Sequence, residues 1–348
     1  MAKNKKIKIG IIGAGFISQI CHIPNYADNN NCEIIGLADF RKKLREKVAK
    51  KFQIQNIYKN HQELLKNKEI EAVIIITGKE NIGPIALDCI KEKKHIFTEK
   101  PSAHTYKQAK KLVDLAKKNK VKYVVGYMKR YDNGVIKAKK ILNNLIKSNK
   151  LGEINFVRAH NFMGDSYGNP KNYIKSKENV PRNIPYWPSA PNWIKKKDRK
   201  HYSGYLNTYC HDLNLIRYLF NKDLKVEYTN LSKMNGRLAV FKIDNFLCSF
   251  ETGRSNYNIW DETIEIYFTR GIVKLSLPAA LLKNKCCKID IYNSNNKPER
   301  KIILDNSSWA FKNQAEEFIK TIKLNKKTLN PGSDALKDLK IIENIWRS

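Results

Sequence analysis

Apolar runs of four to seven residues alternate with longer amphipathic stretches from Ile7 to Gly126, and few folds tolerate that rhythm. The runs are Ile7–Ile12, Cys32–Ala38, Ala72–Thr77, His95–Thr98 and Lys122–Gly126. Between them lie Ile17–Ala27, Lys42–Phe52, Ile82–Lys91 and Tyr106–Lys118, whose apolar positions recur at helical spacing. Strands that are apolar throughout, separated by helices, predict a parallel sheet covered on both faces. Residues 1–126 are therefore expected to form one α/β, doubly wound domain.

After Gly126 the texture changes. The pattern predicts a helix over Asn133–Ser148, a strand over Glu153–Asn161, and a helix over Leu206–Phe220. From Lys225 to about Leu304 apolar residues alternate with period two, in Leu238–Ile243, Phe246–Phe250, Thr263–Phe268, Ile272–Leu277 and Lys288–Tyr292. Thr269-Arg270-Gly271 reads as a hairpin turn. Closing helices are expected at Trp309–Leu324 and Ser333–Trp346, separated by Asn330-Pro331-Gly332. Residues 127–348 thus read as an α+β domain with an open, mostly antiparallel sheet.

Composition narrows the function classes. No stretch approaches the ~18 unbroken apolar residues of a membrane span. The basic start, Lys3 to Lys6, leads through a first strand into a glycine motif rather than into a cleavage site. Seven scattered cysteines without a C-x-x-C pair indicate neither a zinc site nor a disulfide framework, so no metal and a cytoplasmic location are expected. The net charge of +33 invites a nucleic-acid reading, yet the basic residues run along the whole chain and only 12 are Arg. A solvated lysine surface is the simpler reading, with neither nucleic acid nor membrane as a partner.

Gly13-Ala14-Gly15-Phe16-Ile17-Ser18 follows the first strand and opens the first helix. Gly13 permits the tight turn and Gly15 a close approach to a pyrophosphate, while the N–H groups near Phe16 and Ile17 face the phosphates. Asp39 ends the second strand, where a carboxylate binds the adenosine ribose and favours NAD; Arg41 weakens that preference because it can pair with the 2′-phosphate of NADP. Thr77 ends the third run, and Glu99-Lys100-Pro101 closes the fourth; these carboxyl ends face the cofactor crevice. A lysine there polarises a substrate oxygen during hydride transfer. The plain alternatives are a turn aspartate at position 39 and one more solvated lysine at position 100.

With these residues in place the chain resembles the glucose-fructose oxidoreductase / inositol dehydrogenase / rhizopine-catabolism (Gfo/Idh/MocA) family over nearly its whole length. The resemblance rests on the glycine loop, Glu99-Lys100-Pro101, Gly126-Tyr127-Met128-Lys129-Arg130-Tyr131-Asp132, Ser203–Phe220 with His211, the late sheet and the closing helices. It implies an N-terminal Rossmann domain binding NAD, with NADP possible, and a carbohydrate or polyol substrate held between the two domains. It also implies a last helix returning to the first domain, and pairing of copies through the sheet into homodimers or homotetramers. Lys100 maps onto the family's substrate-contacting lysine. His211 matches the His of an Asp-x-x-x-His pattern in which Asn207 replaces the Asp.

That substitution bears on mechanism. Asn207 shares a helix face with His211 but accepts no proton, so His211 itself becomes the candidate base, with Lys100 stabilising the alkoxide and Asn207 fixing geometry. Arg130, Tyr205 and Tyr209 are candidate substrate contacts, and core packing is the alternative for the tyrosines. The Pro- and aromatic-rich stretch Phe162–Tyr202 adds Trp187 and Trp193, suited to stacking on a sugar ring or simply to packing. The expected activity is hydride transfer between the nicotinamide and a secondary alcohol or ketone of a sugar, sugar derivative or polyol. An enzyme that oxidises a sugar transiently to cleave a glycosidic bond, and a sugar or nucleotide sensor on the same fold, remain open alternatives.

Overall fold

The computed structural model describes residues 5–164, 170–181, 184–231, 236–255, 258–295, 297–305 and 308–348. Two compact units emerge. The first gathers residues up to 127, 170–207 and 311–339, and the second gathers 128–169, 208–310 and 340–348. A division at residue 126 therefore separates the strands of the two sheets, but two later segments join the first unit.

The first unit is built on six parallel strands, β1 (Ile7–Ile12), β2 (Cys32–Ala38), β3 (Asn56–Tyr58), β4 (Ala72–Ile75), β5 (His95–Thr98) and β6 (Tyr123–Val125). Their spatial order is β3-β2-β1-β4-β5-β6, the doubly wound arrangement that opens a crevice between β1 and β4. The connections are α1 (Ile23–Ala27, preceded by a π turn over Ser18–His22), α2 (Lys42–Lys51), α3 (His61–Leu65), α4 (Lys79–Lys91) and α5 (Tyr106–Lys118). Ile9, Ile11, Leu37, Ile74 and Phe97 form the centre of the core. They are joined from far along the chain by Ala315, Phe318 and Ile319 of α8 (Ala310–Lys323), with the Phe97 and Phe318 rings 5.7 Å apart. The short β3 and α3 lie outside the expected pattern, because three residues with Ile57 exposed carry no readable periodicity.

The second unit holds α6 (Asn133–Ser148), β7 (Ile154–Gly164) and seven later strands: β8 (Lys225–Asn230), β9 (Arg237–Ile243), β10 (Phe246–Ser255), β11 (Trp260–Phe268), β12 (Gly271–Ser276), β13 (Lys288–Asn293) and β14 (Glu299–Ile303). The order is β14-β13-β12-β11-β7-β10-β9-β8, antiparallel at every pairing except β7 with β10. One face buries Val157, Phe241, Phe250, Ile266 and Leu275. α6, expected over these residues, begins where Asp132 accepts from the Val135 N–H at 3.0 Å and ends at Asn149 in a left-handed conformation. α7 (Arg199–Phe220) starts seven residues before the expected Leu206, since its first turn is mostly polar and shows no apolar stripe. α9 (Gly332–Ile345) closes the chain.

Candidate cofactor and active site

The first strand ends in a turn that only glycine fits. Gly13 has φ +104°, its N–H donates to the Ala38 carbonyl at 2.8 Å, and a Cβ would lie 1.9 Å from the carbonyl oxygen of Ile76. Beyond it, a cleft opens at the carboxyl ends of β1, β2 and β4, at the point where the strand order reverses. Gly13, Gly15, Phe16 and Ile17 line one wall. Asp39, Arg41 and Thr77 line the other, so these seven sequence candidates share one surface.

Asp39 is buried and fully engaged. Its Oδ2 accepts from the Ala14 N–H at 2.8 Å and from Arg41 Nη2 at 2.8 Å; its Oδ1 accepts from Arg41 N and Nε, each at 2.9 Å. The carboxylate, hydrogen-bonded and close, holds the Arg41 guanidinium above its ordinary range. The two residues that argue for NAD and for NADP in the sequence are thus paired with each other. The glycine turn, the cleft and a carboxylate at its rim fit a dinucleotide.

A strap, described over residues 173–181 and 184–188, borders this cleft. Gln19 exchanges two hydrogen bonds with the Ile174 backbone, at 3.0 and 2.8 Å, and the Tyr173 ring meets Phe16 edge-on at 4.8 Å. Val180 and Ile184 line the cleft itself. Further on, Asn81 donates to the Pro185 carbonyl and Trp187 N–H to that of Glu80, each at 2.9 Å. The Trp187 ring lies against Gly83, where a Cβ would stand 2.2 Å from it. Trp187 is thereby a clasp on α4, and Trp193 keeps 37% of its surface open.

Glu99 and Lys100 stand apart from that cleft. Glu99 Oε1 lies 2.8 Å from Nε2 of His22, and its Oε2 accepts from the Lys100 N–H at 3.1 Å. His22 is 2% exposed and packs beside the rings of Phe97 and Phe311. Sequence reasoning passed over it, although its place nine residues after Gly13 put it on the first helical segment. The Lys100 ammonium donates to the Asn207 carbonyl at 2.9 Å and lies 3.4 Å from its Oδ1. Both residues lie within the first unit, and the contact between them is one that the sequence did not predict.

His211 follows Asn207 by one turn of α7 and is half-buried. Its neighbour Asp212 is buried, which pushes its carboxyl above the usual range. Asp212 accepts from Asn161 Nδ2 at 3.1 Å and lies 3.7 Å from the Lys129 ammonium, which also bonds Glu262. Lys129, Asp212 and Glu262 form a buried ionic cluster that sequence reasoning missed; its only signal was adjacency to Arg130 and His211. Arg130 is itself buried, donating to the Asn214 carbonyl at 3.0 Å with its guanidinium over the Tyr218 ring. Tyr205 is 2% exposed, and the buried Tyr209 hydroxyl donates to the Gly253 carbonyl at 3.1 Å. These side chains are packing partners here. Among the described residues no group of His, Cys, Asp and Glu suits a metal ion.

A family model described as an oxidoreductase family with an NAD-binding Rossmann fold (Gfo/Idh/MocA) matches residues 7–127. Inositol 2-dehydrogenase of Salmonella typhimurium is 27% identical over 159 residues, 45% of this chain and 46% of that protein. The chain thus spans about half the length of the curated relatives it matches first. Glucose-6-phosphate 3-dehydrogenase of Bacillus subtilis is 27% identical over 280 residues, 80% of this chain and 68% of that protein. A solved dehydrogenase from Clostridium difficile aligns over 99% of both chains with a TM-score of 0.75, and at 19% identity the likeness speaks for the fold. It is over residues 7–127, the doubly wound domain with the Gly13 turn and the Asp39 cleft, that the chain is similar to the Gfo/Idh/MocA family of oxidoreductases.

Proposed function

We propose that this chain is a nicotinamide-dependent dehydrogenase or reductase acting on a secondary alcohol or ketone of a sugar, sugar derivative or polyol. One observation carries the reading. Lys100 sits immediately past the carboxyl end of β5 with its ammonium held on Asn207, in the same compact unit as the Gly13 turn and Asp39. Two relatives of similar sequence, named for activity on inositol and on glucose 6-phosphate, support a carbohydrate substrate.

The bound nicotinamide supplies the hydride acceptor or donor. Gly13 and Gly15 admit the pyrophosphate to the backbone, and Asp39 holds the adenosine ribose. The Lys100 ammonium stabilises negative charge on the substrate oxygen, Asn207 orients that ammonium, and His211 exchanges the proton.

The test is the appearance of reduced nicotinamide, read at its absorbance band, when protein and NAD or NADP meet a panel of inositols, sugars, sugar phosphates and nucleotide-sugars. Signal with one substrate class, lost in Lys100→Met and in His211→Ala, supports the reading. A flat trace across the panel despite nucleotide binding overturns it in favour of a sensor or a transiently oxidising enzyme.

Two further parts of the reading concern the setting. Seven cysteines, all buried and none in a disulfide, suit a reducing compartment such as the cytoplasm, and no described helix is long and apolar enough to cross a membrane. On the outer face of the second unit's sheet, Leu247, Ile272 and Tyr292 are exposed in one cross-strand row, which suits pairing of copies of the chain.

A further inference from the structure

We propose that Glu178 is a cofactor-specificity residue that turns the site against NADP. The inference rests on the dinucleotide reading of the cleft and goes beyond it, to the chemistry of the adenosine end.

A 2′-phosphate on the adenosine ribose would arrive beside Asp39, and two kinds of group near there recognise phosphate: a guanidinium and the N–H groups opening the next helix. Both are present, and both are already taken by carboxylates. Arg41 is gripped by Asp39 through three of its donors. The first turn of α2, which begins directly after Arg41, is taken by Glu178. Its Oε1 accepts from the Lys43 N–H at 2.9 Å and its Oε2 from the Leu44 N–H at 3.0 Å. Those N–H groups are the second and third of the helix, where an anion is best placed on its dipole.

Glu178 does not reach this position by accident of a loose loop. Ser176 Oγ donates to its Oε2 at 3.0 Å and accepts from its N–H at 3.1 Å, pinning the carboxylate. Upstream the strap is tied to the glycine-loop helix through Gln19 and Ile174, and downstream to α4 through Asn81 and Trp187. The Lys43 N–H bond holds the Glu178 carboxyl below its usual range, so the charge persists at neutral pH. A 2′-phosphate would have to displace this carboxylate and then lie close to two negative groups, Asp39 and Glu178. NAD, with a hydroxyl there, needs neither the helix terminus nor a free guanidinium.

The experiment compares dissociation constants of NAD and NADP by calorimetry for the wild-type chain and for Glu178→Gln. Glutamine keeps an oxygen for a helix N–H and removes only the charge, and Glu178 is half exposed, so the fold is expected to survive. Wild type should prefer NAD. Glu178→Gln should tighten NADP roughly tenfold, the size of one removed charge near a phosphate at the protein surface, while NAD changes less than about twofold. An unchanged NAD-to-NADP ratio in the variant, or a wild type that prefers NADP, overturns the assignment. If wild type binds neither nucleotide, the dinucleotide reading itself falls and takes this inference with it.

Discussion

The Lys100 ammonium donates to the backbone carbonyl of Asn207 at 2.9 Å and lies 3.4 Å from that residue's side-chain oxygen. A neutral amide therefore stands where a carboxylate would form an ion pair. Asn207→Asp should turn this contact into an ion pair and stabilise the fold by about 0.5–1 kcal/mol. Denaturant melts of the two proteins check this, and equal stability argues against contact between the two groups in solution. Lys100→Met removes the charge altogether and should lower turnover by about two orders of magnitude or more. NAD affinity in that variant should stay within about threefold of wild type, since Lys100 stands apart from the cleft. An equal loss of both would place Lys100 in nucleotide binding instead.

Burial drives the His104 imidazole down to about 4 from 6.5. It is 1% exposed beside the Tyr202 hydroxyl, which donates to its carbonyl at 2.8 Å. A depressed pKa means that the folded state keeps this ring neutral. Its contribution to stability is complete above pH 6.5 and is lost as the pH falls towards 4. Between pH 7.5 and 4.5 the loss from this group alone is roughly 2.5 kcal/mol. Denaturant melts of wild type and His104→Leu at both pH values test it: the variant should lose less stability on acidification, by about that difference. Parallel losses would show that another group carries the acid sensitivity.

Glu262, Lys129 and Asp212 set a different test. Glu262 is 2% exposed, and its second oxygen accepts from Trp260 Nε1 at 3.1 Å. Removing Glu262 leaves Lys129 with Asp212 alone, at 3.7 Å, and takes the acceptor from Trp260 Nε1, so Glu262→Ala should cost about 3 kcal/mol in a denaturant melt. Lys129→Met alone leaves two buried carboxylates side by side and should cost a similar amount. The Lys129→Met, Glu262→Met double variant should cost less than the sum of the two, because it leaves fewer unpaired charges. Strict additivity would mean that the two groups do not depend on each other.

Much of this was legible before any coordinates, and the reasons differ by residue. Gly13 and Asp39 stand at fixed positions after strands whose apolar runs are unmistakable, so local pattern places both. α6 shows the same economy, since its cap, its apolar stripe and its end are all within 132–149. Lys100 and Asn207 were each singled out through the family resemblance, but their contact joins residues 107 apart and was not legible. Contacts made by chemically plain residues left no such trail. Glu178 looks like any acid in a polar loop, and its bonds to α2 span 134 and 135 residues. Trp187 was a fair sugar-stacking candidate by composition, and only the absent side chain of Gly83 reveals what its ring meets. Asp39 and Arg41 show a subtler limit. Each was read singly as a signal for one cofactor, whereas their mutual bonds decide what either can offer a ligand.

The clasp between Trp187 and Gly83 yields the last prediction. α4 presents no side chain at position 83, and the indole fills the space so closely that a Cβ would stand 2.2, 2.5 and 2.9 Å from three ring carbons. Alanine at 83 is a favourable helix residue, worth up to about 1 kcal/mol over glycine when nothing opposes it. Here the ring must leave, and the overlap should cost about 1–3 kcal/mol, so Gly83→Ala should destabilise despite better helix propensity. Displacing Trp187 also frees the downstream end of the strap. Its emission should shift to longer wavelength relative to wild type, and protease should cut between residues 170 and 190 more readily. NAD should protect that segment in both proteins, because Val180 and Ile184 line the cleft proposed for it. A stabilised variant with unchanged emission would mean that the indole does not rest on α4 in solution, and that the strap is held by its upstream ties alone.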